Sequence, residues 1–342
     1  MPVLRSACGR REARTRVSRR APASGGGAPR APRNAGGAWA VVAGAALAAV
    51  LVADGARAQQ VFRSGIDLVT FGVTVVDKKG NPIRGLTAAD FEITEEGRAQ
   101  SIRYFIEGDK GDAPLPLHIG LLFDTSGSMG EDIKLARTAA VKFVQKLPHA
   151  EDVTLVDFDT EVRVARYSQA ELPRLIERIR LRKPEGWTAL YDAVGIYMNG
   201  AQDQEGRKVL VLYTDGGDTR SSMSWGDVID MLKASDVTVY CVGFLEHQSP
   251  SSRSDQRMRL EQIARTTGGT AHFPYSAEQL ESVYDKIVEE LSARYTIGYL
   301  STNERADGHW RDVKIRVKRP DLKDFKIRTR AGYFAPYRES SR

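Results

Sequence analysis

Cysteine is scarce in this chain, with two residues in 342, Cys8 and Cys241. Cys8 lies in an N-terminal segment with the features of a leader. Removal of that segment leaves Cys241 alone and excludes a fold held by disulfide bonds. Cys241 lies in an apolar run, where we expect a buried, inert thiol. Histidine is also scarce, with five residues, and no cluster of His and Cys has the spacing of a zinc site.

The N-terminal apolar run is short. Residues 38–53 are rich in Ala and Gly but number only 16, against the roughly 20 that span a membrane. Nine arginines precede this run, and the small-x-small sequence Ala56-Arg57-Ala58 follows it. This order is typical of a secretory signal peptide. We therefore expect residues 1–58 to be cleaved and the protein to be exported to the periplasm or the extracellular space, with an uncleaved N-terminal membrane anchor as the alternative.

Positive charge is not in excess outside the leader. The leader holds ten of the 50 Lys and Arg residues but two of the 44 acidic residues, so its removal changes the formal charge from +6 to −2. The basic balance that typically accompanies nucleic-acid binding therefore belongs to the leader. We expect no nucleic-acid partner, and no stable membrane span once the signal is cleaved.

The remaining chain passes from a β-rich segment to an α/β segment and back. Residues 61–108 alternate apolar and polar positions as strands do, and include an expected hairpin of 91–94 with 101–105. Residues 115–291 alternate apolar strands with amphipathic helices. This pattern predicts an α/β domain with a doubly wound, mostly parallel sheet and helices on both faces. Residues 293–336 return to strands.

Neither terminal β segment has enough strands to bury an apolar core by itself. We therefore expect residues 61–108 and 293–336 to form one β-sandwich-like domain, with the α/β domain inserted between them. Two separate β appendages that pack against the α/β domain are the alternative.

Small oxygen-bearing side chains follow the first strand of the α/β segment. The apolar run Leu117–Phe123 leads to Asp124, and Ser126 and Ser128 follow at two-residue spacing. Open α/β sheets bind ligands at the carboxyl ends of their strands. A carboxylate and two hydroxyls at such an end suit a hard divalent cation such as Mg²⁺. The motif therefore predicts a metal-dependent binding site rather than covalent chemistry.

Three loops together resemble the metal-ion-dependent adhesion site of von Willebrand factor type A domains: Asp124-x-Ser126-x-Ser128, Thr188 in a Gly-Trp-Thr-Ala-Leu-Tyr-Asp segment, and Asp215 in Thr-Asp-Gly. The resemblance covers about half of the chain. It implies a bound Mg²⁺, with Mn²⁺ as an alternative ion, ligated by Ser126 and Ser128, by Asp124 and Asp215 through water, and by Thr188 directly or through water. It also implies an open coordination position, which the Glu or Asp carboxylate of a partner protein fills.

Two further features bear on this resemblance. The flanking β segments, with Leu86–Phe91 and Ala331–Tyr333, resemble exported A-domain-related proteins of soil bacteria. Trp187 stands where a second glycine is common in the family. Its ring can wall one side of the site and contact the ligand, or it can shift the loop and weaken metal binding.

We expect an exported, non-enzymatic adhesion protein that captures an acidic protein partner through Mg²⁺. A metal-free interaction module that binds through the sandwich is the first alternative, and a metal-assisted hydrolase is the second. A serine hydrolase is disfavoured because Ser126 stands where a nucleophile elbow needs glycine. In addition, no histidine has an evident orienting acid.

Overall fold

The structure is a computed structural model, and it describes residues 68–108, 110, 115–147 and 150–337. These residues lie within one compact unit, residues 63–342. The leader expected at residues 1–58 lies outside the described residues. Among the described residues, no helix is both long enough and apolar enough to cross a bilayer.

Strands dominate both ends of the described chain, and helices alternate with strands between them. The strands are β1 (Leu68–Val76), β2 (Phe91–Glu95), β3 (Arg98–Gln100), β4 (Ile102–Glu107), β5 (Leu117–Asp124), β6 (Asp152–Phe158), β7 (Val162–Ser168), β8 (Arg207–Thr214), β9 (Thr238–Gly243), β10 (Ala271–His272), β11 (Tyr295–Leu300), β12 (Trp310–Val317), β13 (Lys326–Arg328) and β14 (Gly332–Phe334). The α-helices are α1 (Ile133–Lys146), α2 (Leu172–Leu181), α3 (Leu190–Ala201), α4 (Trp225–Ala234), α5 (Pro250–Thr266) and α6 (Ala277–Ala293).

A six-stranded sheet with the order β10-β9-β8-β5-β6-β7 forms the centre of the α/β part. It is parallel except for β7. Helices α1, α2 and α6 pack on one face, and α3, α4 and α5 pack on the other. Because both faces are covered, β5 is buried along its whole length and is apolar almost throughout. The antiparallel strand β7, Val162–Ser168, forms one edge of this sheet.

The remaining strands form two four-stranded sheets, β13-β1-β11-β4 and β14-β12-β2-β3. Each sheet therefore combines strands from both ends of the chain. One apolar core contains residues of both sheets, among them Phe71, Ile93, Ile297 and Val313. The structure confirms the predicted fold class: a doubly wound α/β domain together with antiparallel sheets built from the N- and C-terminal segments.

One predicted pairing is wrong. Residues 91–94 were expected to form a hairpin with 101–105, but β2 pairs with the short strand β3, and β4 pairs with β11 in the other sheet. The turn between β2 and β3 is Glu96-Gly97, and both residues have positive φ, 49° and 78°. This tight turn returns the chain for only three residues before it crosses between the sheets. Alternation of apolar residues does not reveal such a crossing, because strands in either sheet have the same period.

Candidate metal centre

The topology brings two of the predicted loops together at the carboxyl edge of the central sheet. β5 and β8 are parallel neighbours, with Phe123 opposite Tyr213. Asp124 ends β5, and Asp215 directly follows the end of β8. Both aspartates are buried, Asp124 at 0% and Asp215 at 1% exposure. Their charges are close enough to interact, because Asp215 raises the pKa of Asp124.

Short local hydrogen bonds fix the Asp124 loop. The Asp124 carboxylate accepts from the Ser126 backbone N–H at 2.9 Å through Oδ1, and from the Thr214 hydroxyl at 2.6 Å through Oδ2. The hydroxyls of Ser126 and Ser128 are 3.0 Å apart. The chain turns back at Ser126 because a short 3₁₀-helix, Gly127–Gly130, begins there. One carboxylate and two hydroxyls thus face a single small region.

The Asp215 carboxylate closes this region from the side of β8. Its Oδ1 accepts from the Gly217 N–H at 3.2 Å, and its Oδ2 accepts from the Gln248 side-chain amide at 2.9 Å. A hydrogen bond from the Ser128 hydroxyl stabilises the charged form of Asp215. Asp215 is therefore in contact with the Asp124 loop as well as with the loop after β9.

The third predicted loop, which carries Thr188, is joined to the Asp124 loop through its backbone. The Glu185 N–H donates to the Thr125 carbonyl at 2.9 Å, and the Gly127 N–H donates to the Gly186 carbonyl at 3.1 Å. Thr188 is 4% exposed. Its N–H donates to the Thr219 hydroxyl at 2.9 Å, on the loop that follows Asp215. All three loops are thus tied together by hydrogen bonds.

Trp187 projects from this loop with 65% exposure. Its N–H donates to the Thr160 hydroxyl at 2.9 Å. The preceding Gly186 has φ +73°, and a Cβ there would lie 2.4 Å from the Thr160 Oγ1. Glycine is therefore required at 186, whereas the indole at 187 is accommodated by pointing into solvent. With the indole exposed, the loop retains its backbone hydrogen bonds to the Asp124 loop.

The electrostatics of the region favour a cation. Burial, and then the charge of Asp215, raise the pKa of Asp124 to about 7. Burial also raises the pKa of Asp215. A divalent cation would favour the charged form of both groups. The donors are carboxylates and hydroxyls, which are the hard oxygens that Mg²⁺ prefers, and Mg²⁺ typically takes only one or two protein carboxylates. The residues present therefore fit the ion. Within the described chain, no group of three or more His, Cys, Asp or Glu side chains forms a metal site of the conventional kind.

Other acidic residues near this edge have structural roles. Asp192, in the first turn of α3, accepts from the N–H groups of Ser222 and Met223 at 3.0 Å or slightly more. The Asp218 carboxylate accepts from the Tyr191 N–H at 3.2 Å. Both aspartates therefore hold loops in place.

Sequence reasoning missed three residues that shape the site. Thr214 precedes Asp215 directly and could have been identified as a hydroxyl at the same strand end. Gln248 is 33 residues beyond its partner Asp215, so no local pattern connects them. Asp132 lies at the start of α1, and its carboxylate is 3.1 Å from His247 Nδ1. The side chains of Asp132 and His247 therefore add charge beside the site.

Comparisons with known proteins gave one match to a protein family and several similar solved structures. A sequence model of the von Willebrand factor type A domain matches residues 118–289. A comparison with curated proteins gives no match. Similar solved structures include the von Willebrand factor domain of the type V pili tip protein Mfa5 from Porphyromonas gingivalis, with 13% identity, TM-score 0.41, and coverage of 52% of this chain and 96% of that chain. A von Willebrand factor type A protein from Catenulispora acidiphila has 14% identity and TM-score 0.44, with 82% and 76% covered. BatB from Bacteroides thetaiotaomicron has 13% identity and TM-score 0.41, with 51% and 98% covered.

Proposed function

This chain belongs to the von Willebrand factor type A domain family, and we propose that it is an exported, non-enzymatic adhesion protein that captures a protein partner through a divalent cation. Domains of this family generally mediate protein–protein interactions. In our proposal residues 1–58 are the export signal and 115–291 carry the binding site. Residues 61–108 and 293–336 form the supporting sandwich.

The main support for the proposal is that two buried carboxylates, of Asp124 and Asp215, and two hydroxyls, of Ser126 and Ser128, lie together at one edge of the sheet. The ion, Mg²⁺ or Mn²⁺, would supply an electron-poor centre that accepts a carboxylate oxygen from outside the protein. Ser126 and Ser128 would supply neutral hydroxyl oxygens, and Asp124 and Asp215 would supply the negative charge. Thr188 would add a further hydroxyl oxygen to the ligands. Because the protein supplies so few anionic ligands, the ion would keep much of its positive charge. A carboxylate from an acidic residue of the partner is therefore the favoured additional ligand.

In the described part of the chain, the hydroxyls of this site are not paired with a histidine base. Ser126 and Ser128 bond each other, and in the described part of the chain neither is hydrogen-bonded to a histidine. Nucleophilic catalysis by serine needs such a base. This arrangement supports binding rather than hydrolysis.

The proposal is tested by calorimetric titration of Mg²⁺ and of Mn²⁺ into the purified protein and its variant Asp124→Ala. A matched control is Asp230→Ala, because Asp230 lies on α4 with its side chain 74% exposed and pairs with Lys233 at the surface. We expect one ion per chain for the unmodified protein and the control, and none for Asp124→Ala. Equal binding by all three proteins would contradict the proposal.

A metal-free interaction module is the second candidate, and one observation favours it. Both oxygens of Asp124 and both oxygens of Asp215 already accept hydrogen bonds from protein groups. The raised pKa values would let one carboxyl be neutral without an ion. Partner capture that persists in excess chelator would favour this candidate.

A further inference from the structure

A second polar site lies at the opposite edge of the central sheet, where its amino edge meets the terminal sheets. A cavity of about 50 Å³ is lined there by residues that begin β8 and β9, by β1 and β11, and by the junction of α6 with β11. One water needs roughly 10–15 Å³ measured in this way. The cavity therefore has room for about four waters, or for the four oxygens of one tetrahedral oxyanion.

Several basic side chains line this cavity, which we call the basic cavity and define by Lys208, Arg294 and Arg330. Lys208 is 8% exposed and Arg294 is 7% exposed. Among the described lining residues, Asp236 contributes the carboxylate. It is bound to Lys208 Nζ at 2.9 and 3.0 Å, so its charge is already matched by that of the lysine.

The two arginines bind neutral oxygens instead. Arg294 donates to the Gly72 carbonyl at 3.0 Å, and Arg330 donates to the Thr70 carbonyl at 2.9 Å and the Ser235 carbonyl at 3.0 Å. Within the part of the chain that the structure describes, no carboxylate lies within ion-pair distance of either guanidinium.

Burial makes this arrangement unfavourable for the free protein. It lowers the pKa of both Arg294 and Arg330, although the negative charge of Glu290 partly offsets this at Arg294 and that of Asp236 partly offsets it at Arg330. Glu290, whose charge acts on Arg294, is itself held by Arg328 at 2.5 Å. The described residues place no carboxylate in direct contact with either guanidinium, and burying a cation without a close anion is unfavourable. An anion between the two guanidiniums would therefore stabilise the fold.

The backbone is shaped to admit one of these guanidiniums. A Cβ at Gly72 of β1 would lie 2.3 Å from Arg294 Nε. The strand therefore carries no side chain at the point where Arg294 reaches the cavity. Arg294 itself joins α6 to β11, so its guanidinium lies where the α/β domain continues into the terminal sheets.

We propose that the basic cavity binds one small tetrahedral oxyanion, inorganic phosphate or sulfate, held by Arg294, Arg330 and Lys208. Guanidinium groups form paired hydrogen bonds with such oxygens, and the Thr296 hydroxyl on β11 lies in the same lining. The bound anion would link β8 of the central sheet to the terminal sheets. This inference is independent of the candidate metal centre, which lies at the other edge of the sheet.

The direct test is equilibrium dialysis of radiolabelled inorganic phosphate against the full-length protein, in chelator and at constant ionic strength set with chloride. We expect one phosphate per chain, displaced by sulfate and not by chloride. No uptake at phosphate concentrations up to about 10 mM, which corresponds to a cavity filled by water only, would overturn the proposal.

Variants of the lining residues test whether the phosphate binds in the basic cavity. Arg294→Met is expected to weaken binding at least about tenfold, corresponding to about 1.4 kcal/mol. Thr296→Val, which changes no charge, is expected to weaken it several-fold and serves if Arg294→Met does not fold. The control is Arg84→Met, because Arg84 lies outside the cavity but binds the Ser292 carbonyl near the same junction. Uptake that is unchanged in Thr296→Val and in Arg294→Met, or lost equally in Arg84→Met, would refute this assignment.

Discussion

Replacement of Asp157 by asparagine should destabilise the protein by several kcal/mol, although the side chain keeps its shape. Asp157 lies on β6 and is 0% exposed. Its carboxylate binds three guanidiniums, those of Arg163 at 2.8 Å, Arg178 at 2.7 Å and Arg182 at 2.8 Å. Asp157→Asn removes the negative charge and leaves the three cations facing one another.

The magnitude follows from the contacts and their exposure. Hydrogen bonds to charged groups contribute roughly 1.5–3 kcal/mol each, so three would give about 4.5–9 kcal/mol. The arginine side chains are 23%, 25% and 35% exposed, and water recovers part of this loss. We therefore expect a decrease of about 3–5 kcal/mol in the free energy of unfolding, as for other broken buried ion pairs.

Urea denaturation of the purified protein measures this decrease. The matched control is Asp285→Asn, whose carboxylate pairs with Lys146 at 2.6 Å but is 66% exposed. That surface pair should contribute only about 0–1 kcal/mol. Equal losses in both variants, or a loss below about 1 kcal/mol for Asp157→Asn, would refute the reasoning. Arg182 also begins the loop that leads to Thr188, so Asp157→Asn should weaken Mg²⁺ binding.

Two further predictions concern single residues. Gly186→Ala should destabilise the protein by about 1–3 kcal/mol and weaken Mg²⁺ binding, because φ is +73° and the new Cβ would lie 2.4 Å from the Thr160 Oγ1. Gly200→Ala, with no atom within 4 Å of its Cβ, is the control for urea denaturation and calorimetry. His272→Gln should reduce the loss of stability in acid. Burial, with Lys286 and Arg328, lowers the pKa of His272 from 6.5 to about 4. The unfolded chain therefore takes up this proton first, and stability falls by up to about 3 kcal/mol as the pH falls from 6.5 to about 4. Identical urea midpoints at pH 7 and pH 4.5 for the unmodified protein, or identical acid losses in both proteins, would contradict this explanation.

The strongest sequence predictions came from segments where burial on two faces imposes one pattern. β5 is buried at all eight positions, and the polar motif that follows it could only lie at the end of the strand. Asp215 likewise follows an apolar strand, β8, which lies beside β5 inside the sheet. The two parallel strands end at the same edge, so Asp215 lies near Asp124. These parts of the fold could be predicted without knowledge of distant contacts.

The features that sequence reasoning missed depend on distant contacts. Periodicity did not show that the chain changes sheets between β3 and β4, and the three-residue β14 is too short to form a pattern. Gln248 reaches Asp215 from the loop after β9. In the sequence, Arg294 and Arg330 resemble the exposed charges of any β-rich segment. Their contacts to Gly72, Thr70 and Ser235 come from distant parts of the chain.

The central claim is that a carboxylate from a partner protein fills an open position on a bound ion, and water relaxation with Mn²⁺ tests it most directly. Mn²⁺ held by the protein relaxes the water protons that exchange at its open positions. A pool of short peptides with a central Glu should displace this water and reduce the relaxation, whereas matched peptides with Gln should not. Asp124→Ala should show neither effect. Equal responses to the Glu and Gln peptides, or no difference between the unmodified protein and Asp124→Ala, would contradict recognition of an acidic partner through a metal ion.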